Sequence, residues 1–264
     1  KDEKQFPKGP INFSNIGIPI TGNINEGVFS LLTKKGIDGM NKSDLEKILS
    51  KPAIIDATAV DYINRKGLSN LIGIEIEKEV NYHCIEEYTN FGNIGLEGKY
   101  RDSRPKFYNI SNFTFKIMSN EVKILSKLKT DYNNGDFLGY SSTIFENRFG
   151  AKIICFGYDP WNFIFTSSKI KQIHFLIKYI TKNTLPFLIL FPPRVCNFLR
   201  FKKNNKMVIT CLNASFDDVN EIKFYTPYKF SNIEKLNLKG DWELLRFKKG
   251  ENEIILKCEI PCWE

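Results

Sequence analysis

The chain has 264 residues, 42% of them hydrophobic and 26% charged, which is the composition of a globular protein able to bury a core across two domains of ordinary size. No apolar run approaches the roughly 20 residues of a membrane-spanning helix; the longest, residues 185–191, is broken by Pro186. The formal charge of +8 divides evenly, +4 in residues 1–180 and +4 in 181–264, so it forms no concentrated basic block of the kind that binds nucleic acid.

Taken in chain order, residues 16–21 read as an apolar extended segment, residues 28–33 as a strand and residues 34–40 as a glycine-bearing loop. Residues 43–49 read as a short helix, with Ser43 and Glu46 placed as a capping box. The clearest local signal follows. Ala53-Ile54-Ile55 is a short buried strand, Asp56 an N-cap, residues 57–66 a helix and Gly67 its stop. This is one βα unit of a parallel α/β domain. Residues 78–110 are polar, aromatic and irregular, and are expected to form loops and short strands. Residues 121–128 alternate as a strand, and residues 140–145 and 151–158 form a hairpin about Asn147-Arg148-Phe149-Gly150. A helix follows, capped by Ser167 or Ser168, with Ile170, Ile173, Ile177 and Ile180 on one face.

Beyond about residue 182 the pattern changes to short strands at 207–212, 221–226, 242–247 and 254–260, separated by turn residues. Asn204-Asn205 marks one such turn, with Lys202, Lys203 and Lys206 as solvated flanks. Regular short strands indicate an antiparallel β-sandwich. The fold class expected is therefore α/β plus all-β. A flavodoxin-like α/β domain over 1–181, short of strands, precedes a β-sandwich over 182–264. Trp242 is expected in the sandwich core and Trp263 as a pin for the C-terminal tail.

Chemistry-bearing motifs are few. Cys84, Cys155, Cys196, Cys211, Cys258 and Cys262 contain no CxxC pair, and His83 and His174 are the chain's two histidines. Neither a zinc site nor a cofactor is expected, and reduced thiols agree with a cytoplasmic location. The opening Lys1-Asp2-Glu3-Lys4 carries no signal-peptide pattern. The Asn-x-Ser/Thr sequons at Asn41, Asn109, Asn112 and Asn213 are chance matches of the kind expected in an Asn-rich chain. His83 and its neighbour Cys84 would point to opposite faces of a strand, which disfavours a Cys–His pair. His174 lies on the apolar stripe of its helix and reads as packed. There is no GxSxG elbow, P-loop or GxGxxG.

Three segments together resemble a known arrangement: residues 17–21 with 28–33, residues 53–56 running through 65–74, and residues 143–159. In that order they are similar to the accessory region of large bacterial glycoside hydrolases of the β-galactosidase type. In such proteins a catalytic TIM barrel is followed by a class I glutamine-amidotransferase-like α/β domain, of the β-galactosidase trimerisation type, and a small β-sandwich closes the chain. The resemblance implies a noncatalytic region for oligomerisation or for shaping an active site elsewhere, in carbohydrate metabolism. Its partners would be an upstream TIM barrel or another subunit, with a homo-oligomer and an oligosaccharide as further possibilities. It carries no catalytic residue over to this chain. Two alternatives stay open beside it. The loop Tyr158-Asp159-Pro160-Trp161-Asn162 would bind carbohydrate by ring stacking, with Asp159 and Asn162 bonding hydroxyls. Its competing reading is that Tyr158 and Trp161 fill the junction between the two domains. Alternatively, Glu146 and Asp159 would serve as a glycosidase carboxylate pair.

Overall fold

The computed structural model describes residues 9–22, 27–103, 111–132, 134–164, 166–182, 184–202 and 206–262. They fall into two compact units. One is Val28–Thr181; the other joins Lys1–Gly27 to Lys182–Glu264. The opening segment thus groups with the C-terminal residues rather than with the α/β sheet, where a 1–181 domain would put it.

Unit Val28–Thr181 is built on a nine-stranded mixed sheet. Its strands are β1 (Ser30–Leu32), β2 (Ala53–Ile55), β3 (Ile74–Val80), β4 (Ile85–Tyr88), β5 (Tyr100–Asp102), β6 (Asn112–Ile117), β7 (Lys123–Lys129), β8 (Phe137–Glu146) and β9 (Lys152–Phe156). The order is β1-β2-β9-β8-β7-β4-β5, with β3 paired to β6 and β6 touching β8 through Phe115 and Tyr140. Only β1, β2 and β9 run parallel to one another; the rest of the sheet is antiparallel. A flavodoxin-like sheet is mostly parallel, so this mixed sheet does not by itself carry the flavodoxin-like assignment. What stands is a mixed α/β unit followed by β structure.

The helices are α1 (Lys34–Ile37), α2 (Lys42–Leu49), α3 (Ala57–Arg65), α4 (Ser69–Ile72) and α5 (Ser167–Ile180). Residues 34–37 are thus helical rather than a loop, because Thr33 accepts a hydrogen bond from the Gly36 amide at 3.1 Å. Asn41, not Ser43, caps α2, accepting from Asp44 N at 3.0 Å. Likewise Thr166 caps α5 ahead of Ser167. The strand-cap-helix unit forms as read. β2 is fully buried, Asp56 accepts from Ala59 N at 2.8 Å, and Gly67 sits at φ 71° just past α3. That left-handed backbone favours glycine.

One face of the sheet packs on α1 to α4 through Leu45, Leu49, Ala59, Val60, Ile63, Leu71, Ile72 and the strand residues Ile55, Ile153 and Cys155. Each such aliphatic side chain contributes about 1.5–3 kcal/mol on burial. Asn147 organises the β8–β9 turn. Its side-chain oxygen accepts from Phe149 N and Ala151 N, and its amide donates to Leu49 O at 2.8 Å and Leu71 O at 3.3 Å. It thereby gives partners to carbonyls at the ends of α2 and α4 that their helices leave open.

In the other unit, residues 10–16 form a 3₁₀ helix that ends at Ile16, where the expected extended segment begins. Gly17, at φ 79°, approaches Ile189 so closely that a Cβ would collide with its backbone. The strands are β10 (Leu188–Phe191), β11 (Val195–Lys202), β12 (Lys206–Asn213), β13 (Val219–Tyr225), β14 (Glu234–Leu236), β15 (Trp242–Leu244), β16 (Phe247–Lys249) and β17 (Glu253–Ile260). They make a four-stranded antiparallel sheet, β10-β13-β17-β16, and two ribbons, β11-β12 and β14-β15. Ile189, Ile222, Phe224, Ile254 and Leu256 form the sheet's core, against which Met207, Ile209 and Cys211 of β12 pack. Trp242 is 55% exposed, so it is not a core residue; its strand, read as continuous over 242–247, breaks after Leu244. The turn at Asn204-Asn205 and Trp263 lie outside the described residues. No described helix is long and apolar enough to cross a membrane.

Candidate functional site

The most unusual chemistry of the chain lies between the sheet and α5. Glu86 of β4 and Arg101 of β5 are register partners, so their side chains share one face of the sheet. Ser126 of β7 and Ser142 of β8 reach the same face, and Lys169 of α5 and Tyr158, two residues beyond β9, close it from above. Arg101 Nε donates to Glu86 Oε2 at 2.5 Å. Ser126 Oγ and Ser142 Oγ donate to Glu86 Oε1 at 2.6 and 3.1 Å. Tyr158 Oη lies 2.8 Å from both carboxylate oxygens. Lys169 Nζ donates to Tyr158 Oη and to Gln172 Oε1, the latter at 2.7 Å, and stands 3.8 Å from Glu86 Oε1. The Arg101 guanidinium is held between the rings of Tyr158 and Phe163, 4.1 and 4.2 Å from their centroids.

None of these groups meets solvent: Glu86 and Lys169 are 0% exposed and Tyr158 1%. Burial pushes the Glu86 carboxyl up, but Lys169, Arg101 and the Ser126 bond outweigh it and hold it at about 2. Burial drives Lys169 down to about 7 against the pull of Glu86, and the Arg101 charge adds to the fall. The Tyr158 phenol is raised well above its ordinary value, first by burial and then by the Glu86 anion. At neutral pH the cluster therefore holds a carboxylate, a guanidinium, a protonated phenol and an amine near its midpoint. An amine so tuned is chemically apt for Schiff-base or proton-transfer work. Here it is walled in by Tyr88, Phe156 and Tyr158, whose ring centroids lie 5.5, 4.5 and 4.9 Å from Nζ. The cluster joins α5 to four strands and offers no reactive atom to a substrate.

The residues singled out by sequence disperse. Tyr158 and Trp161 are each 1% exposed, so neither presents a ring face on which a sugar would stack. Asp159 and Asn162 are half-buried, and Asn162 Nδ2 donates to Asp159 Oδ2 at 3.3 Å. Tyr158 belongs to the charge cluster instead. Glu146 and Asp159 lie at opposite ends of the β8–β9 hairpin, which corrects their reading as neighbours at one strand end. Glu146 pairs with Lys152, while Ser142 pairs with Phe156, four residues and about 13 Å further along. Asp159 lies beyond that. A glycosidase pair needs its carboxyls roughly 5–9.5 Å apart. His83 is exposed and faces Asp102 at 3.5 Å, whereas Cys84 is buried and bonded to Ser103. His174 is packed, 7% exposed. Asp56 is a buried cap whose carboxyl rises to about 7, chiefly by burial and with a small push from Asp159. No group of three or more His, Cys, Asp or Glu side chains among the described residues is arranged to hold a metal.

Sequence reading passed over Glu86, Arg101 and Lys169. Lys169 and Gln172 lie three apart on the buried side of α5, a signal hidden by the usual assignment of lysine to solvent.

Two solved glycoside hydrolases share this fold. α-L-Fucosidase isoenzyme 2 from Paenibacillus thiaminolyticus superposes on 84% of this chain with a TM-score of 0.57 and 9% identity. Gan42B, a GH42 β-galactosidase from G. stearothermophilus, superposes on 96% with a TM-score of 0.55 and 10% identity. The likeness is one of fold. The matched parts are 38% and 34% of those two chains, so this chain spans little more than a third of the length of either. No family model matches the sequence, and no curated protein matches it.

Proposed function

We propose that this chain is a noncatalytic accessory region of a glycoside hydrolase, of the amidotransferase-like and β-sandwich type found in β-galactosidase-like enzymes. The observation that carries this reading is that 84–96% of the chain superposes on about a third of two larger glycoside hydrolases. The Glu86–Arg101–Lys169–Tyr158 cluster supports it, because its acid, bases and phenol are buried and engaged with one another between α5 and the sheet. The region's work would then be association, with a TIM-barrel catalytic domain, with another subunit or with copies of itself. Light-scattering measurement of the purified chain's mass tests the self-association arm. A mass above that of the monomer is expected, and a monomer at every concentration would remove that arm.

A further inference from the structure

At the C-terminal end of α5, away from the buried cluster, the sheet carries an open hollow of about 370 Å³ lined by Glu121, Lys123, Ile144, Glu146, Lys152 and Tyr179. Its layout follows from register. Lys123 pairs with Ile144 across β7–β8, and Glu146 pairs with Lys152 across β8–β9. Lys123, Ile144 and Glu146 therefore share the α5 face, since side chains alternate along a strand, and Glu121 lines the hollow from the turn before β7. The floor is the buried Ile144, and one wall is Tyr179, which packs edge-on against Phe91 at 5.2 Å and stacks with Phe175 at 6.0 Å. Lys152 Nζ rests 3.8 Å from the Tyr179 ring centroid.

Two carboxylates and two ammonium groups thus share one hollow, yet no ion pair joins them, whereas Glu87, Glu46 and Glu253 elsewhere on the surface are each engaged by a lysine or arginine. We propose that this hollow binds a sugar residue of an oligosaccharide. The lining has no net charge, which favours a neutral ligand. Each sugar hydroxyl can both donate and accept, so Glu146 with Lys152, or Glu121 with Lys123, can hold a vicinal pair through one acceptor and one donor. The C–H face of the sugar takes Ile144 and the Tyr179 ring, with Lys152 swinging off the ring to bond a hydroxyl. The volume lies within the range of small-ligand sites, and a few polar anchors around an apolar patch are the usual composition. This rests on the accessory reading and deepens it, assigning the region a sugar-holding surface.

The test is an NMR titration of the isotopically labelled chain with lactose and with methyl α-L-fucoside, up to concentrations well above about 1 mM, the range of a weak single-sugar contact. Saturable shifts are expected at Lys123, Glu146, Lys152 and Tyr179. Tyr179→Ala should weaken binding at least tenfold. Glu146→Ala, at an exposed position that leaves the core intact, should do so severalfold. Absence of saturable shifts for either sugar, or shifts that both variants leave unchanged, overturns the proposal. Failure here leaves the accessory reading standing, whereas glycoside turnover by the chain would sink that reading and leave the hollow intact.

Discussion

Arg101 Nε and Glu86 Oε2 meet at 2.5 Å with neither side chain reaching solvent. A buried pair of this kind is weak evidence for net stability, because desolvation offsets much of the attraction, but breaking it strands the remaining charge. Glu86→Gln leaves Arg101 and Lys169 buried without their anion. A loss of about 3–5 kcal/mol in urea unfolding is expected. A loss under about 1 kcal/mol would mean that the cluster does not hold α5 to the sheet.

Lys169 gives that cluster a pH signature. Its folded-state pKa, about 7, lies below the ordinary lysine value of 10.5. Between those two values the unfolded chain holds a proton that the folded chain has released, so raising the pH favours folding. Stability of the native protein minus that of Lys169→Met should therefore rise from pH 7 to pH 10, on the order of 1 kcal/mol per unit. Below pH 7 the difference should flatten. A difference that is level across pH 7–10 would refute the assignment.

Asp56 works in the opposite sense. Its folded pKa, about 7, is above the ordinary 3.8, so stability present at low pH is lost as the pH climbs between the two. Asn is an equally good N-cap and does not ionise. Asp56→Asn should thus remove this slope and leave the protein at least as stable as the native chain at pH 8. Asp56→Ala, which abandons the Ala59 amide, should cost about 1 kcal/mol at pH 5. Thermal melts at the two pH values distinguish these outcomes.

Gly157 sits where β6 and β8 close on the end of β9. A Cβ there would lie 2.0 Å from Phe113 O and 3.0 Å from Ser141 O. The backbone bonds Gly157 N to Ser141 O and Phe113 N to Gly157 O leave no room for retreat. Gly157→Ala is expected to destabilise by at least about 1–3 kcal/mol, the range of overpacked cores, with loss of α5 packing visible in near-UV circular dichroism.

How much was legible in the sequence depended on whether a signal was local. The β2–Asp56–α3–Gly67 unit announces itself because strand, cap, amphipathic face and stop fall within fifteen residues, and the structure reproduces it. The β8–β9 hairpin is equally local. The sheet beyond β7 is not. β4 and β5 pair across a segment whose charged and aromatic residues point into a core closed by an element some seventy residues away. Ile85-Glu86-Glu87-Tyr88 therefore reads as polar until Arg101 and Lys169 are placed around it. Trp242 fails for the reverse reason. A lone aromatic at a strand start suggests burial, yet its ribbon β14-β15 packs little of itself away and leaves Trp242 and Leu244 exposed. The separation of Glu146 from Asp159 was available in principle, since a hairpin's register sends residues before its first strand partner and after its last to opposite ends.

The most direct measurement of the noncatalytic reading is hydrolysis of nitrophenyl β-galactoside and nitrophenyl α-L-fucoside by the purified chain. The expected result is no release of nitrophenol above the buffer rate. Turnover by this chain alone would contradict it.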